Sequence, residues 1–368
     1  MHLDKIQLIN FKNYKSLQFD FNGKVNGIVG SNGCGKTNLL DAIHYLSFCK
    51  SYFSGQDIFS IKFDEELFAI HGVFSNPELN TIDKISCTYK KGARKVMKSN
   101  GKEYERLSDH IGRYPLIMVS PYDNDIINGG SELRRKFFDV IISQFDKEYL
   151  YQLISYQKLI MQRNAVLKQC NETRNYDMSL IQIFDNQLIP LGYSIFEKRK
   201  AFIAEILPIF KNYYSQLSGN QEEVDIVYES GLEKCSFEEG LKSTSQVDFR
   251  LGFTNFGVHK DDYLFYIGSD KPIKRFGSQG QQKSFSLALK LSQFDYIFSK
   301  TKRKPILLLD DIFDKLDPKR IAHLLDLVGQ KFFGQVFISD TDKNRLHQIL
   351  NEYHIEHTLY DINTQKMI

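Results

Sequence analysis

A glycine-rich segment that ends in Lys-Thr is the strongest chemical signal in the sequence. It reads Gly30-Ser31-Asn32-Gly33-Cys34-Gly35-Lys36-Thr37 and fits the pattern G-x-x-x-x-G-K-[ST] at every fixed position. Glycines let successive backbone N–H groups point at phosphate oxygens, and a helix start adds positive potential. We predict a nucleotide-phosphate site in which Lys36 reaches the β- and γ-phosphates and Thr37 offers its hydroxyl to Mg²⁺. The predicted site comprises Gly30, Ser31, Asn32, Gly33, Cys34, Gly35, Lys36, Thr37 and Asn38. The alternative is a glycine-rich turn that carries this Lys-Thr pair by chance.

Two consecutive carboxylates, Asp310 and Asp311, follow the apolar run Ile306-Leu307-Leu308-Leu309. In P-loop proteins such a strand delivers the acid that holds Mg²⁺. We expect Asp310 to bind Mg²⁺ together with Thr37, and Asp311 to orient the attacking water. Lys36, Asp310 and Asp311 are therefore the predicted catalytic residues. The alternative, a helix-capping or loop carboxylate, would be favoured if the chain had no P-loop.

A second candidate phosphate-binding segment precedes these acids by about thirty residues. It reads Phe276-Gly277-Ser278-Gln279-Gly280-Gln281-Gln282-Lys283 and begins an amphipathic helical pattern. A serine and backbone amides at a helix start bind anions, although an ordinary N-cap serine has the same pattern. The position of the segment resembles that of the signature motif of ABC-type ATPases, whose serine binds the γ-phosphate held by the other subunit. The resemblance adds Ser278, Gln279, Gly280 and Gln281 to the predicted nucleotide site.

Hydrophobic periodicity predicts the elements that must position these residues. Alternating apolar residues indicate strands at the N terminus and over residues 67–74 and 83–105, with a hairpin turn at Asn100-Gly101. A short apolar strand precedes the glycine-rich segment and a helix follows it, which is the context of a P-loop. The apolar spacing of residues 131–217 is helical.

These patterns predict an α/β protein with a P-loop and an inserted helical lobe, and the resemblance to the signature motif implies an ABC-type P-loop ATPase head. The head is expected to combine residues 1–125 with residues 223–368, and the lobe to occupy residues 126–222. The apolar runs 305–309 and 335–338 are typical of buried parallel strands of the head.

Composition excludes several classes of protein. The chain has 368 residues, 42% hydrophobic and 25% charged, which is enough for two or three domains with a sizeable core. No run approaches the ~18 apolar residues of a membrane span, and the N terminus lacks the pattern of a secretory leader. The five cysteines are widely spaced without a C-x-x-C pair, which argues against a disulfide framework or a zinc ribbon. We therefore expect a soluble protein of the reducing cytoplasm.

The net charge of +3 is too small to indicate a polyanionic partner, so any interaction with DNA must rest on local patches. The basic residues around the predicted hairpin are Lys84, Lys90, Lys91, Arg94, Lys95, Lys98 and Lys102. They either contact phosphates or form a solubilising charged edge, and the sequence favours the two interpretations equally.

Two further polar clusters have several possible roles. Arg134-Arg135-Lys136 either adds basic surface or pairs with Asp139 and neighbouring acids. His259, Asp261 and Asp262 do not converge easily on a metal ion, because alternate side chains of a strand point to opposite faces. We predict a local hydrogen-bond or charge network around them.

Several segments beyond the P-loop resemble the RecF family of the SMC/Rad50-like ABC ATPases, and the resemblance spans the whole chain. These segments are Leu8-Ile9-Asn10-Phe11-Lys12-Asn13-Tyr14, Val119-Ser120-Pro121-Tyr122-Asp123, Arg134-Arg135-Lys136-Phe137-Phe138-Asp139, Gln162-Arg163-Asn164-Ala165-Val166-Leu167-Lys168, Gly257-Val258-His259-Lys260-Asp261-Asp262 and a D-loop-like Leu316-Asp317. The chain departs from the family at Val258 and Lys260, where Pro and Arg are usual. Thr341 is the candidate residue at the position where ABC proteins carry a switch histidine.

The resemblance implies a weak ATPase that uses ATP and Mg²⁺ and forms an ATP-dependent homodimer. The dimer is expected to clamp gapped or duplex DNA or a junction, and to cooperate with RecR and RecO in loading RecA, without a membrane partner. Slow hydrolysis would release it. The main alternative is an ABC ATPase subunit of a membrane transporter, which usually has the switch histidine that is missing here. A Rad50-like tether lacks support because no long heptad repeat is present. A small-molecule phosphotransferase would leave Ser278 without a purpose.

Overall fold

The structure is a computed structural model that describes residues 1–76, 80–174, 178–219, 222–268, 270–313, 318–330 and 333–368. The strands in chain order are β1 His2–Phe11, β2 Tyr14–Asp20, β3 Val25–Val29, β4 Leu67–Asn76, β5 Thr81–Lys90, β6 Val96–Ser99, β7 Lys102–Glu103, β8 Leu116–Val119, β9 Val224–Glu229, β10 Asp262–Ile267, β11 Lys271–Pro272, β12 Ile306–Leu309, β13 Val336–Asp340, β14 Thr358–Asp361 and β15 Lys366–Met367. The helices are α1 Lys36–Phe48, α2 Asp125–Asn128, α3 Ser131–Ser143, α4 Lys147–Thr173, α5 Met178–Ser218, α6 Phe237–Leu251, α7 Ile273–Phe276, α8 Gln279–Thr301, α9 Pro318–Gly329 and α10 Lys343–Glu352.

The chain folds into two compact units, of which the first combines Met1–Asp123 with Leu289–Ile368 and the second is Asn124–Ala288. The second boundary differs from the sequence prediction, which ended the helical lobe at residue 222. In the structure β9 packs on α5 and pairs with β10, so these strands extend the second unit. Alternation identifies a strand but does not determine which layer its apolar face covers, and this is why the boundary was misplaced.

A mostly parallel sheet forms the centre of the first unit, with the strand order β15-β14-β3-β13-β12-β8. Among the described strand pairs of this sheet, β14–β15 is antiparallel and the others are parallel. Every residue of β3, β12 and β13 is buried, which confirms the interpretation of the two C-terminal apolar runs as buried parallel strands. Because parallel strands end at the same edge, β3 and β12 bring the P-loop and the Asp310-Asp311 pair to one side of the sheet.

An antiparallel sheet with the order β2-β1-β4-β5-β6-β7 forms the other layer of the first unit. Its predicted hairpin turn is present, since Asn100 and Gly101 have φ angles of 50° and 82° between β6 and β7. Helix α1 contacts strands of both sheets. Both faces of α1 are therefore covered, which explains why nearly all of its residues are buried.

The second unit contains the predicted helices and one small sheet. Helices α3, α4 and α5 occupy most of the region whose apolar spacing is helical, and the antiparallel order β11-β10-β9 adds the sheet. Although α5 runs for 41 residues, no helix within the described ranges has the length and apolar content needed to cross a membrane.

Candidate nucleotide-binding site

The P-loop connects the buried end of β3 to the first turn of α1. Gly35, the residue before the helix, has a φ of 114°, which side chains rarely adopt. A Cβ atom there would lie 2.5 Å from the Asn13 amide nitrogen and 2.6 Å from the Tyr14 hydroxyl. Glycine is therefore required at position 35 both by backbone conformation and by space.

Asn13, in the turn between β1 and β2, and Tyr14, the first residue of β2, hold the P-loop in place. The Asn13 side-chain amide donates to the Cys34 carbonyl at 2.9 Å, and the Tyr14 hydroxyl donates to the Gly35 carbonyl at 2.9 Å. Asn38 in turn donates to Asn13 Oδ1 at 2.8 Å. Sequence reasoning did not assign Asn13 and Tyr14 to the site, because their only signal was membership of a family-like segment.

The Lys36 ammonium group lies against the loop that precedes it. Its Nζ donates to the carbonyl oxygens of Gly30 at 2.8 Å and Ser31 at 3.1 Å, and the residue is only 5% exposed. A charged amine held by two carbonyls can exchange these acceptors for phosphate oxygens, which bind it more strongly because they are charged. Its position fits the predicted contact with the β- and γ-phosphates.

Thr37 and Asp310 meet across 273 residues of sequence. The Thr37 hydroxyl donates to Asp310 Oδ1 at 3.0 Å. Two oxygen ligands about 2.1 Å from Mg²⁺ at a right angle lie about 3.0 Å apart, and Mg²⁺ prefers oxygen ligands. This pair therefore fits the predicted metal-binding role.

Ser339, the fourth residue of β13, bridges the two acids. Its hydroxyl donates to Asp310 Oδ1 at 2.8 Å and accepts the backbone N–H of Asp311 at 3.0 Å. Asp311 has a φ of 48°, in the left-handed region, so the chain leaves the extended conformation of β12 at this residue. Sequence reasoning named Thr341 from the same segment as the candidate at the switch position, and that assignment stays a prediction. Ser339, which it did not name, contacts both acids.

Burial raises the pKa of the Asp310 carboxyl above its ordinary value, and the charge of Asp311 acts in the same direction. Hydrogen bonds from Ser339 and Thr37 and the charge of Lys36 oppose this rise. A divalent cation would also favour the ionised carboxylate, so the electrostatics suit a site that gains a positive ion on binding nucleotide.

The segment that resembles the signature motif lies in the second unit, at the start of α8. The Ser278 hydroxyl accepts the Gln281 N–H at 3.2 Å, and the Ser278 N–H donates to Gln281 Oε1 at 2.6 Å. The Gln281 side-chain amide also donates to Glu222. Ser278 and Gln279 are exposed. Because a hydroxyl that accepts one hydrogen bond can still donate another, capping and phosphate binding are compatible at Ser278.

The family model for the RecF/RecN/SMC N terminal domain matches residues 2–364 of this chain. The DNA replication and repair protein RecF of Flavobacterium johnsoniae is 47% identical over 362 residues, which cover 98% of this chain and 100% of the relative. RecF of Bacteroides fragilis is 43% identical and covers 99% of this chain and 97% of the relative. The chain belongs to the RecF family.

Solved structures agree with this assignment. A structure of the recombination mediator RecF with ATP, in the RecFOR pathway, has a TM-score of 0.88 at 30% identity, and the match covers 100% of this chain and 97% of that one. An Smc head bound to the C-winged helix domain of ScpA has a TM-score of 0.56 at 15% identity and 98% coverage of this chain and 94% of that chain, a likeness of fold alone. These matches confirm the predicted fold class, an ABC-type ATPase head.

The cluster around His259 forms a local network of hydrogen bonds and ion pairs, as predicted. His259 Nδ1 lies 2.9 Å from the Tyr156 hydroxyl, and burial lowers the pKa of the imidazole to about 4. Asp261 receives hydrogen bonds from Arg199 at 3.1 Å and from Tyr228, while Asp262 forms a bidentate pair with Arg134. Asp261 and Asp262 thus pair with different arginines.

Two other expectations from the family have different outcomes. The D-loop-like residues Leu316 and Asp317 lie outside the described residues. Lys260, which replaces the family's usual arginine, is exposed and places its ammonium 5.0 Å from the centre of the Phe253 ring. A cation–π contact of this kind needs charge but not the guanidinium fork, so lysine can make it.

The basic residues around the hairpin divide into one member with a largely buried side chain and an exposed set. Lys95 is 11% exposed and forms an ion pair with Asp57 at 2.7 Å, so it is a structural residue. The exposed members are Lys84, Lys90, Lys91, Arg94, Lys98 and Lys102. Lys84 and Lys98 lie on adjacent antiparallel strands, where Lys98 is opposite Ser86.

Proposed function

We propose that this chain is an ATP-dependent DNA-binding protein of recombinational DNA repair and replication-fork maintenance. The observation that carries the proposal is the contact between Thr37 and Asp310, which joins the P-loop to the acid-bearing strand. It occurs in a chain whose full-length relatives are named DNA replication and repair protein RecF. These relatives favour DNA repair over the alternative of a transporter ATPase subunit.

In this proposal the first unit binds and hydrolyses ATP. The backbone amides of residues 30–36 and the Lys36 ammonium hold the phosphates, and Thr37 and Asp310 bind Mg²⁺. The metal supplies positive charge that stabilises the phosphate oxygens during transfer. Asp311 orients the attacking water, and Ser339 holds the two acids in position relative to each other. We expect slow hydrolysis, because the protein acts as a switch.

A second copy of the chain completes the site. The P-loop and the acids belong to the first unit, whereas Ser278, Gln279, Gly280 and Gln281 belong to the second. Signature serines of ABC-type ATPases bind the γ-phosphate held by the partner subunit, and Ser278 is exposed and able to donate. ATP would then bind the closed dimer better than the monomer and shift the equilibrium toward dimers.

The dimer would clamp DNA at gaps or at single-strand/double-strand junctions, and hydrolysis would release it. The ATP-bound RecF structure belongs to the RecFOR pathway, which supports RecR and RecO as partners and the loading of RecA as the outcome. The exposed lysines around the hairpin are the candidate phosphate contacts of the first unit.

Sedimentation velocity of the full chain with a labelled gapped duplex tests this mechanism. We expect ATP and Mg²⁺ to produce a DNA-bound dimer, and Ser278→Arg to prevent its formation while ATP binding persists. Ser243→Arg places the same side chain on an exposed position of α6 and is the matched control. A protein that binds ATP but stays monomeric and free of DNA would overturn the proposal.

A further inference from the structure

Two histidines of the first unit have facing ring nitrogens. His347 lies on α10 and His357 immediately precedes β14. His347 Nδ1 is 2.9 Å from His357 Nε2. His347 is exposed and His357 is half-buried, so a small ion can reach the pair from solvent.

The second nitrogen of each ring has its own partner. His357 Nδ1 lies 2.7 Å from the Ile355 carbonyl oxygen, which can only accept, so this nitrogen carries the proton. Its Nε2, the atom that faces His347, therefore bears a lone pair. His347 Nε2 lies 3.0 Å from the Asn351 side-chain nitrogen, which donates to it, so the proton of His347 lies on Nδ1 and is donated to His357 Nε2.

The two rings thus share one N–H···N hydrogen bond. When the Asn351 amide turns its oxygen toward His347, the proton of this ring moves from Nδ1 to Nε2, and Nδ1 then also bears a lone pair. Both facing nitrogens are then ligands, and each ring is oriented through its other nitrogen. This is the outer-shell arrangement that metal-binding histidines commonly have.

We propose that His347 Nδ1 and His357 Nε2 form a two-histidine site for a late first-row divalent cation. Two ligand nitrogens that each lie about 2.05 Å from a metal ion, at a right angle, are about 2.9 Å from each other. The observed spacing thus suits the square-planar or octahedral coordination of Cu²⁺ or Ni²⁺. Tetrahedral Zn²⁺ needs a separation of about 3.3 Å and therefore a slight opening of the pair.

Water completes the coordination in this proposal, since no cluster of three or more His, Cys, Asp or Glu side chains suited to a metal occurs among the described residues. The ion would connect α10 to β14, a strand that pairs in parallel with β3 ahead of the P-loop. Bound metal should therefore stabilise the first unit.

Isothermal titration of the full chain with Ni²⁺ at neutral pH tests the site. We expect the wild type to bind one Ni²⁺ ion that neither His347→Gln nor His357→Gln binds. Asn351→Leu should weaken binding about 10- to 100-fold, as loss of an outer-shell partner does. His354→Gln, which changes an exposed histidine outside the pair, is the matched control and should bind as the wild type does.

Electron paramagnetic resonance of bound Cu²⁺ provides a second readout. Two imidazole nitrogens should give superhyperfine splitting in the wild type and in His354→Gln, and the splitting should simplify in His347→Gln. Cu²⁺ bound to cysteine thiols would give the same signal in all variants. A signal that changes in His347→Gln therefore comes from the histidine site. Equal Ni²⁺ affinity and stoichiometry in the wild type and His347→Gln would overturn the proposal.

Discussion

Replacement of Ser339 by alanine should impair ATP turnover without affecting the fold. Ser339 is fully buried, and its hydroxyl contacts Asp310 Oδ1 at 2.8 Å and the Asp311 N–H at 3.0 Å. Alanine fits the same space but leaves the carboxylate with one donor fewer and the N–H without this acceptor. Both acids then lose the group that fixes their relative position.

The size of the effect follows from the charge of the acceptor. A hydrogen bond to an ionised group contributes about 1.5–3 kcal/mol, and 1.4 kcal/mol corresponds to about tenfold in rate. If the bond acts in the transition state, turnover should fall roughly 10- to 150-fold. The lost bond also favours the protonated form of Asp310, so its pKa rises further above the ordinary value. Because the ionised carboxylate binds Mg²⁺, activity should disappear at a higher pH on acidification, and more Mg²⁺ should be needed.

Phosphate release across a pH series, at several Mg²⁺ concentrations, measures both effects. Ser292→Ala is the control, because it removes another buried serine hydroxyl, which donates to the Leu289 carbonyl at 2.8 Å. The reasoning is refuted if Ser339→Ala keeps turnover within twofold of the control with an unchanged acid limb.

Three further variants test other parts of the molecule. Gly35→Ala should weaken binding of a fluorescent ATP analogue at least tenfold, because the added Cβ has no room. Gly92 also has a positive φ, of 76°, but lies in open space, so Gly92→Ala should bind the analogue normally. Equal affinities of the two variants would contradict this prediction. Arg199→Leu leaves two carboxylate partners without their buried cation and should lower the free energy of unfolding in urea by about 3–5 kcal/mol. A decrease below about 1 kcal/mol would contradict a stabilising role of this network. Reversing charge at Lys84 and Lys98 should weaken DNA binding and flatten its salt dependence while ATP binding persists, and an unchanged affinity would identify the hairpin as a solubilising edge.

Local patterns predicted most elements of the first unit. The P-loop was recognisable because its glycines and its Lys-Thr pair act within eight consecutive residues, between a strand and a helix. The strands β12 and β13 were recognisable because burial on both faces requires continuous apolar runs. The hairpin turn followed from Asn100-Gly101, whose positive φ angles few other residues adopt.

The sequence by itself therefore determined the P-loop, the acid-bearing strand, the helical region and the family resemblance. Only the tertiary structure decided that Ser339 bridges the acids, that Asn13 and Tyr14 hold the loop, and that β9 packs with the helices. These contacts join residues far apart in the chain and depend on strand register and on which layer an apolar face covers. Hydrophobic periodicity predicts neither the strand register nor the layer that is covered, because it depends only on the order of residues along one element.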